Sequence, residues 1–255
     1  MGDHQREEMG LYRREDEHDS CGIGFVADIK GRKSHAILER GLEVLERMEH
    51  RGAESADNKT GDGAGVLMQI PHGFYKALIP DLPEPGRYGT GLAFFPGPLH
   101  DDPAAEKLRG GISKAIETLA AACGLSVHAW REVPTKPAVI GHIARQAEPV
   151  VKQLFLVPAG AKKRPAAAEG ASSDLELRLY IFRKRLEKAV RDGAFAGKGD
   201  FHLPSLSSRT IVYKGMLMSR QLRAYFTELS APRIQTAIAL VHSRFSTNTF
   251  PAWSL

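Results

Sequence analysis

The chain has 255 residues, of which 42% are hydrophobic and 25% are charged, with a formal net charge of +5. That composition is ordinary for a globular protein of one large or two small domains, and no run of about 18 apolar residues offers a membrane span. The lysines and arginines are spread along the chain without interleaved aromatic platforms, which argues against nucleic acid as partner.

Residues 1–20 read as a leader. They are crowded with charge, including Glu7, Glu8, Arg13, Arg14, Glu15, Asp16, Glu17 and Asp19, and they lack the apolar centre of a secretory signal. At Cys21 the character changes. Cys21-Gly-Ile-Gly-Phe-Val-Ala27 has strand chemistry, with Cys21, Ile23, Phe25 and Ala27 on one face and Gly22 and Gly24 on the other. A helix is predicted from Ser34 to His50, capped by Ser34 and stopped by Gly52, with Ile37, Leu38, Gly41, Leu42, Leu45 and Met48 as its apolar face.

The glycine-rich turn Thr60–Gly65 leads into a strand from Val66 to Ile70. It fits neither the phosphate-binding nor the dinucleotide-binding spacing. A strand at Tyr88–Phe95, a helix at Pro103–Cys123 and a strand at Leu125–Trp130 follow. Residues 159–174 are low in complexity and read as an exposed loop. Leu175–Val190 reads as strand plus helix, Thr210–Tyr213 as a strand, Ser219–Glu228 as a helix and Ile234–Ser246 as a strand covered on both faces. Strands and helices mix throughout, which indicates an α/β or α+β sandwich. The chain stops at Leu255 inside an aromatic, proline-containing stretch, as a fragment would.

Only two cysteines occur, which excludes a disulfide framework and fits a reducing, cytoplasmic setting. The ten histidines have no metal-ligand spacing, so no metal site is expected. A free cysteine on a strand is commonly a small buried hydrophobe. Cys123 fits that description, since it continues the apolar helix face of Leu108, Ile112, Ile116 and Leu119. Cys21 differs in following a leader with no folding capacity. Removal of that leader would free its α-amino group, whose pKa of about 8 suits a base for the neighbouring thiol. Its flanking glycines would leave room for substrate at the backbone. Arg244 ends an apolar strand and needs an anionic partner, either a structural carboxylate or a substrate carboxylate. Ser246 and Thr247 offer hydroxyls beside it.

Several blocks together resemble one family. Cys21-Gly-Ile-Gly-Phe-Val-Ala-Asp-Ile-Lys-Gly31, His50-Arg-Gly-Ala53, Thr60-Gly-Asp-Gly-Ala-Gly65, Ser205–Leu217 and His242-Ser-Arg-Phe-Ser-Thr-Asn-Thr-Phe-Pro251 are similar, in order, to the amidotransferase part of glutamate synthase large subunits. The resemblance implies a class II, N-terminal-nucleophile glutamine amidotransferase domain over residues 21–255, partial at its C-terminus. Its fold would be α+β, a four-layer αββα sandwich of two facing antiparallel sheets. The implied reaction is hydrolysis of L-glutamine to glutamate and ammonia, with Cys21 as nucleophile. Arg244 and Thr247 would hold the glutamine α-carboxylate, and Arg51 would lie near the nucleophile.

In the whole enzyme the ammonia would pass to 2-oxoglutarate, using FMN and an iron–sulfur cluster held outside this chain. A small reductase subunit or ferredoxin would be the electron-donating partner. The family's Asn-Gly oxyanion pair would lie beyond the position of Trp253, so residues 1–255 alone would be inactive. The alternatives are another class II amidotransferase, or a non-catalytic regulatory relative of the fold.

Overall fold

The computed structural model describes residues 22–52, 55–97, 103–160, 171–192, 201–243 and 251–253. Among the described residues seven strands form two antiparallel sheets. In the first, β1 (Ile23–Ala27), β2 (Ala64–Gln69), β6 (Thr210–Gly215) and β7 (Ile238–Ser243) lie in the order β1-β7-β2-β6. In the second, β3 (Gly89–Phe95), β4 (Leu125–Glu132) and β5 (Val150–Pro158) lie in the order β3-β5-β4. The stretch before β6 bridges to β3 through Phe94↔His202 and Thr90↔Ser207, and so joins the two sheets.

Helix α1 (His35–Arg47) lies on the first sheet because its buried residues Ile37, Leu38, Gly41, Leu42 and Leu45 recur at helical spacing. Gly41 allows the close approach: a Cβ there would stand 2.6 Å from the Ala239 Cβ. Ser34 forms no side-chain cap. Its backbone pairs instead with Thr236, N–H to carbonyl at 3.0 Å and 3.2 Å in the two directions. The helix stops at Arg47, five residues short of Gly52. A 3-10 turn, Glu49–Arg51, follows, and Gly52 is extended rather than left-handed.

The second sheet carries α3 (Pro103–Ala122) and α5 (Ala171–Arg191) on its outer face. Ile112, Ile116, Leu175, Leu179, Phe182 and Leu186 pack there against Phe95, Leu154 and Leu156. Cys123 packs against this cluster as its sequence position predicts. The short helices α2 (His72–Leu78), α4 (His142–Gln146) and α6 (Gln221–Tyr225) fill the connections.

A larger cluster joins α1, the buried face of the first sheet and the inner face of the second, through residues such as Leu38, Val66, Tyr75, Phe155, Tyr213 and Val241. At its centre lies a polar chain. Arg131 donates to Glu228 at 2.6 Å and 2.9 Å, Tyr213 Oη donates to Glu228 at 2.5 Å, and the Tyr75 and Tyr213 hydroxyls are 3.0 Å apart. Burial pushes both tyrosine hydroxyls up, so they stay protonated.

Four elements depart from the sequence reading. β5, at the centre of the second sheet, was not anticipated. Leu175–Val190 is helix throughout, and that helix begins at Ala171, inside the stretch read as a loop. The strand expected over Ile234–Ser246 is described only as Ile238–Ser243, and its two faces differ: Ala239, Val241 and Ser243 are buried, whereas Leu240 is 37% exposed. The helix expected over Ser219–Glu228 is α6 followed by a 3-10 turn, Thr227–Ser230. Among the described residues no helix is long and apolar enough to cross a membrane.

Candidate active site

Cys21, Arg244 and Thr247 lie outside the described residues, and of Arg51 only the backbone is described, as the last residue of the 3-10 turn. Chain neighbours of Cys21, Arg51 and Arg244 are described, namely Gly22, Gly52 and Ser243, and these converge. β1 and β7 pair antiparallel, up to Ile23 opposite His242. Beyond that pair the Ser243 N–H donates to the Gly22 carbonyl at 2.7 Å. A Cβ on Gly22 would stand 2.1 Å from the Ser243 carbonyl oxygen, so only glycine fits. A Cβ on Gly52 would stand 3.4 Å from the Ser243 Oγ and 3.6 Å from the Asp62 Oδ1. The residues that adjoin Cys21, Arg51 and Arg244 therefore meet around Ser243.

This corrects the reading of the glycines beside Cys21. Gly22 makes room for the β7 backbone. Gly24 makes room for α1, where a Cβ would stand 2.6 Å from the Val44 Cγ1. Both serve protein packing rather than an open path for substrate.

The loop after Arg51 is fixed from several sides. Asp57 accepts hydrogen bonds from the N–H groups of Lys59, Thr60 and Ile143 and from the Thr60 hydroxyl. Desolvation opposes the charged form of Asp57, but these bonds outweigh it and hold the carboxyl well below its usual range. Thr60 Oγ1 accepts from Ala144 N–H at 3.2 Å, so Asp57 and Thr60 together satisfy free N–H groups at the start of α4. Gln221 donates to the carbonyls of Lys59 at 2.7 Å and Val139 at 3.0 Å.

β2 begins at Ala64, so of the segment expected as a turn only Thr60–Gly63 precedes the strand, with a bend at Asp62. A Cβ at Gly61 would overlap the Leu217 backbone at 2.2 Å. Glu49, Gly52, Asp62, Gly63, Leu217, Met218, Ser219 and Ser243 line a small recess here. Trp253 closes another side of the core, its Nε1–H donating to the Ala144 carbonyl at 2.9 Å.

Two further ionisable groups were not singled out from the sequence. Register places Ile23, His242, Gly65 and Lys214 in one row across the four strands. Burial lowers the His242 pKa, so the ring is neutral at neutral pH, and it pushes Lys214 down to about 8. Nothing in the local sequence marks a lysine in β6 as buried; only the strand pairing does.

A family model of class II glutamine amidotransferases matches residues 21–255. The chain belongs to the class II glutamine amidotransferases. It is 43% identical over 254 residues to the glutamate synthase (NADPH) large chain of Bacillus subtilis, covering 96% of this chain and 15% of that protein. It is 40% identical over 252 residues to the glutamate synthase (NADH) of Saccharomyces cerevisiae, covering 97% of this chain and 11% of that protein. It is 36% identical over 246 residues to the ferredoxin-dependent glutamate synthase 2 of Synechocystis, covering 94% of this chain and 14% of that protein. The chain thus spans 11% to 15% of the length of these relatives. This amidotransferase domain is homologous to part of a known enzyme, and the expected resemblance holds.

Proposed function

We propose that the chain supplies the nucleophile and the α-carboxylate-binding residues for the glutaminase half-reaction of a glutamate synthase. Residues 1–20 are removed, and Cys21 becomes the first residue of the mature domain. Its α-amino group takes the thiol proton, directly or through a water, and the sulfur attacks the side-chain amide carbon of L-glutamine. The tetrahedral intermediate collapses with cleavage of the carbon–nitrogen bond. The proton held by the amine goes to the leaving nitrogen, and ammonia departs from a glutamyl thioester. Water then attacks the thioester and releases glutamate and free thiol. Arg244, paired with the α-carboxylate and assisted by Thr247, fixes the substrate so that its amide faces Cys21. Arg51 lies at the nucleophile's other side.

The observation that carries this reading is the convergence at Ser243. Gly22 follows Cys21, Gly52 follows Arg51 and Ser243 precedes Arg244, and these three are in contact range. Residues from three distant parts of the chain are brought toward one place, as a nucleophile and its substrate-binding cations require. The four-layer αββα sandwich belongs to the same proposal. It is supported by the two antiparallel sheets and by α3 and α5 on the second.

FMN and an iron–sulfur cluster belong in this proposal to the rest of the subunit. Two cysteines cannot supply the thiolates of a cluster, and among the described residues no three metal-ligand side chains gather. Ammonia formed here would pass to 2-oxoglutarate elsewhere in the subunit, with electrons from a reductase subunit or ferredoxin.

The test is the intact mass of the full-length gene product before and after a γ-diazoketone analogue of glutamine. A chain that begins at Cys21 and gains one adduct there supports the reading. A chain that keeps residues 1–20 and gains none refutes it.

A further inference from the structure

We infer that Ser243 and Ser219 form a hydroxyl clasp that positions the nucleophile strand against the glutamine-binding end of β7. The inference rests on the function proposed above and adds two positioning residues to it. Ser243 is 2% exposed and Ser219 is 6% exposed, and their Oγ atoms are 2.9 Å apart. Neither hydroxyl has bulk water to replace its partner, so removing one leaves the other unsatisfied in a buried recess.

The clasp adds a direct side-chain tie between two elements that otherwise meet through β2, where Ala64 pairs with both Gly215 and Ser243. Ser243 ends β7, and its backbone N–H holds the Gly22 carbonyl at 2.7 Å. Ser219 sits in the turn between β6 and α6, a turn seated by the close approach of Gly61 to Leu217 and by Met218 N–H donating to Gln221 Oε1 at 2.8 Å. Gly52 packs against the same Ser243 oxygen. Alanine at position 243 would fill nearly the same space, so packing alone does not call for serine. The hydroxyl pair fixes where β7 ends relative to the turn between β6 and α6, and with it the end of β7 against which Gly22 is held.

The test compares two alkylating reagents on Cys21 of the full-length gene product, followed by peptide mass. Iodoacetamide reads only the thiol and its access. The γ-diazoketone analogue reads the thiol placed against a bound glutamine skeleton. In Ser243→Ala the diazoketone reaction should slow about ten-fold while the iodoacetamide reaction changes by less than about two-fold. Ser219→Ala should give the same split, the double variant should be no worse than either single one, and Ser219→Thr should restore the rate.

Equal loss of both labels in Ser243→Ala would mean a misfolded strand, and the decision then passes to Ser219→Ala. A wild-type rate with both reagents in Ser219→Ala overturns the clasp while leaving the proposed function standing. Absence of any diazoketone adduct on the wild-type protein is a different failure, that of the function itself.

Discussion

The carbonyl of Gly22 accepts a hydrogen bond from the N–H of Ser243 at 2.7 Å, and this contact extends the β1–β7 ladder to the residues next to Cys21 and Arg244. It forms at a distance that admits no side chain on residue 22.

Gly22→Ala should therefore disrupt the start of β1. Its methyl group would meet the Ser243 carbonyl at 2.1 Å, and backbone cannot move aside as a flexible side chain can. Overpacking of this kind costs about 1–3 kcal/mol. Urea unfolding should show a lowered midpoint, and the diazoketone adduct at Cys21 should be lost. Wild-type labelling in this variant would show that the β1–β7 contact does not position the nucleophile.

Cys123 supplies the control. It packs beside α3 and α5, with the Arg185 guanidinium 3.8 Å from its sulfur. Cys123→Ala should keep the adduct unchanged and cost about 1 kcal/mol in stability. Loss of the adduct would move the nucleophile from Cys21 to Cys123.

The Arg131–Glu228 pair yields a stability prediction. Desolvation works against the Arg131 charge, and the two bonds to Glu228 more than offset it. Glu228→Ala leaves that guanidinium buried without its carboxylate and removes the acceptor of Tyr213. The expected cost is about 3–5 kcal/mol, read from urea unfolding. A much smaller loss would mean that water reaches Arg131 once Glu228 is gone.

Lys214 gives a pH signature. Its pKa is pushed down to about 8 from 10.5 in the folded chain, by burial. The unfolded chain binds the proton more tightly, so charging this lysine opposes folding. That penalty is present in full below about pH 8 and is relieved as pH rises toward 10.5. Lys214→Met should raise stability near pH 7, by on the order of 3 kcal/mol. It should also remove this residue's share of the stability rise between those pH values. Parallel pH–stability curves for the two proteins would contradict the lowered pKa.

The elements with clean periodicity were legible in the sequence. Ile37, Leu38, Leu42 and Leu45 mark α1, and Ile112 and Ile116 mark α3, because each buries one stripe. β5 was missed because it is covered on both faces: Gln153 to Val157 are all buried, which leaves no alternation to read. α5 was misread because Leu175, Leu177, Leu179 and Ile181 alternate like a strand. The face that packs is instead Leu175, Leu179, Phe182 and Leu186 at helical spacing, while Leu177 stays 57% exposed.

At the site, local chemistry pointed to Cys21 and to Arg244. The meeting of Gly22, Gly52 and Ser243 arises from pairing between distant segments, which no local pattern encodes.

Among the described residues β1 is an edge strand that pairs with β7 alone, and the two partners lie more than two hundred residues apart. Contacts of that span form late, since the intervening chain must first collapse and order itself. On a growing chain β1 emerges early and waits for β7, its neighbour among the described residues, until nearly all of these residues have been made. Folding thus imposes a timetable: the strand that leads from Cys21 docks after the rest of the core is in place. On the proposed function, the Cys21 thiol then meets its substrate-binding partners only in a molecule that has already folded.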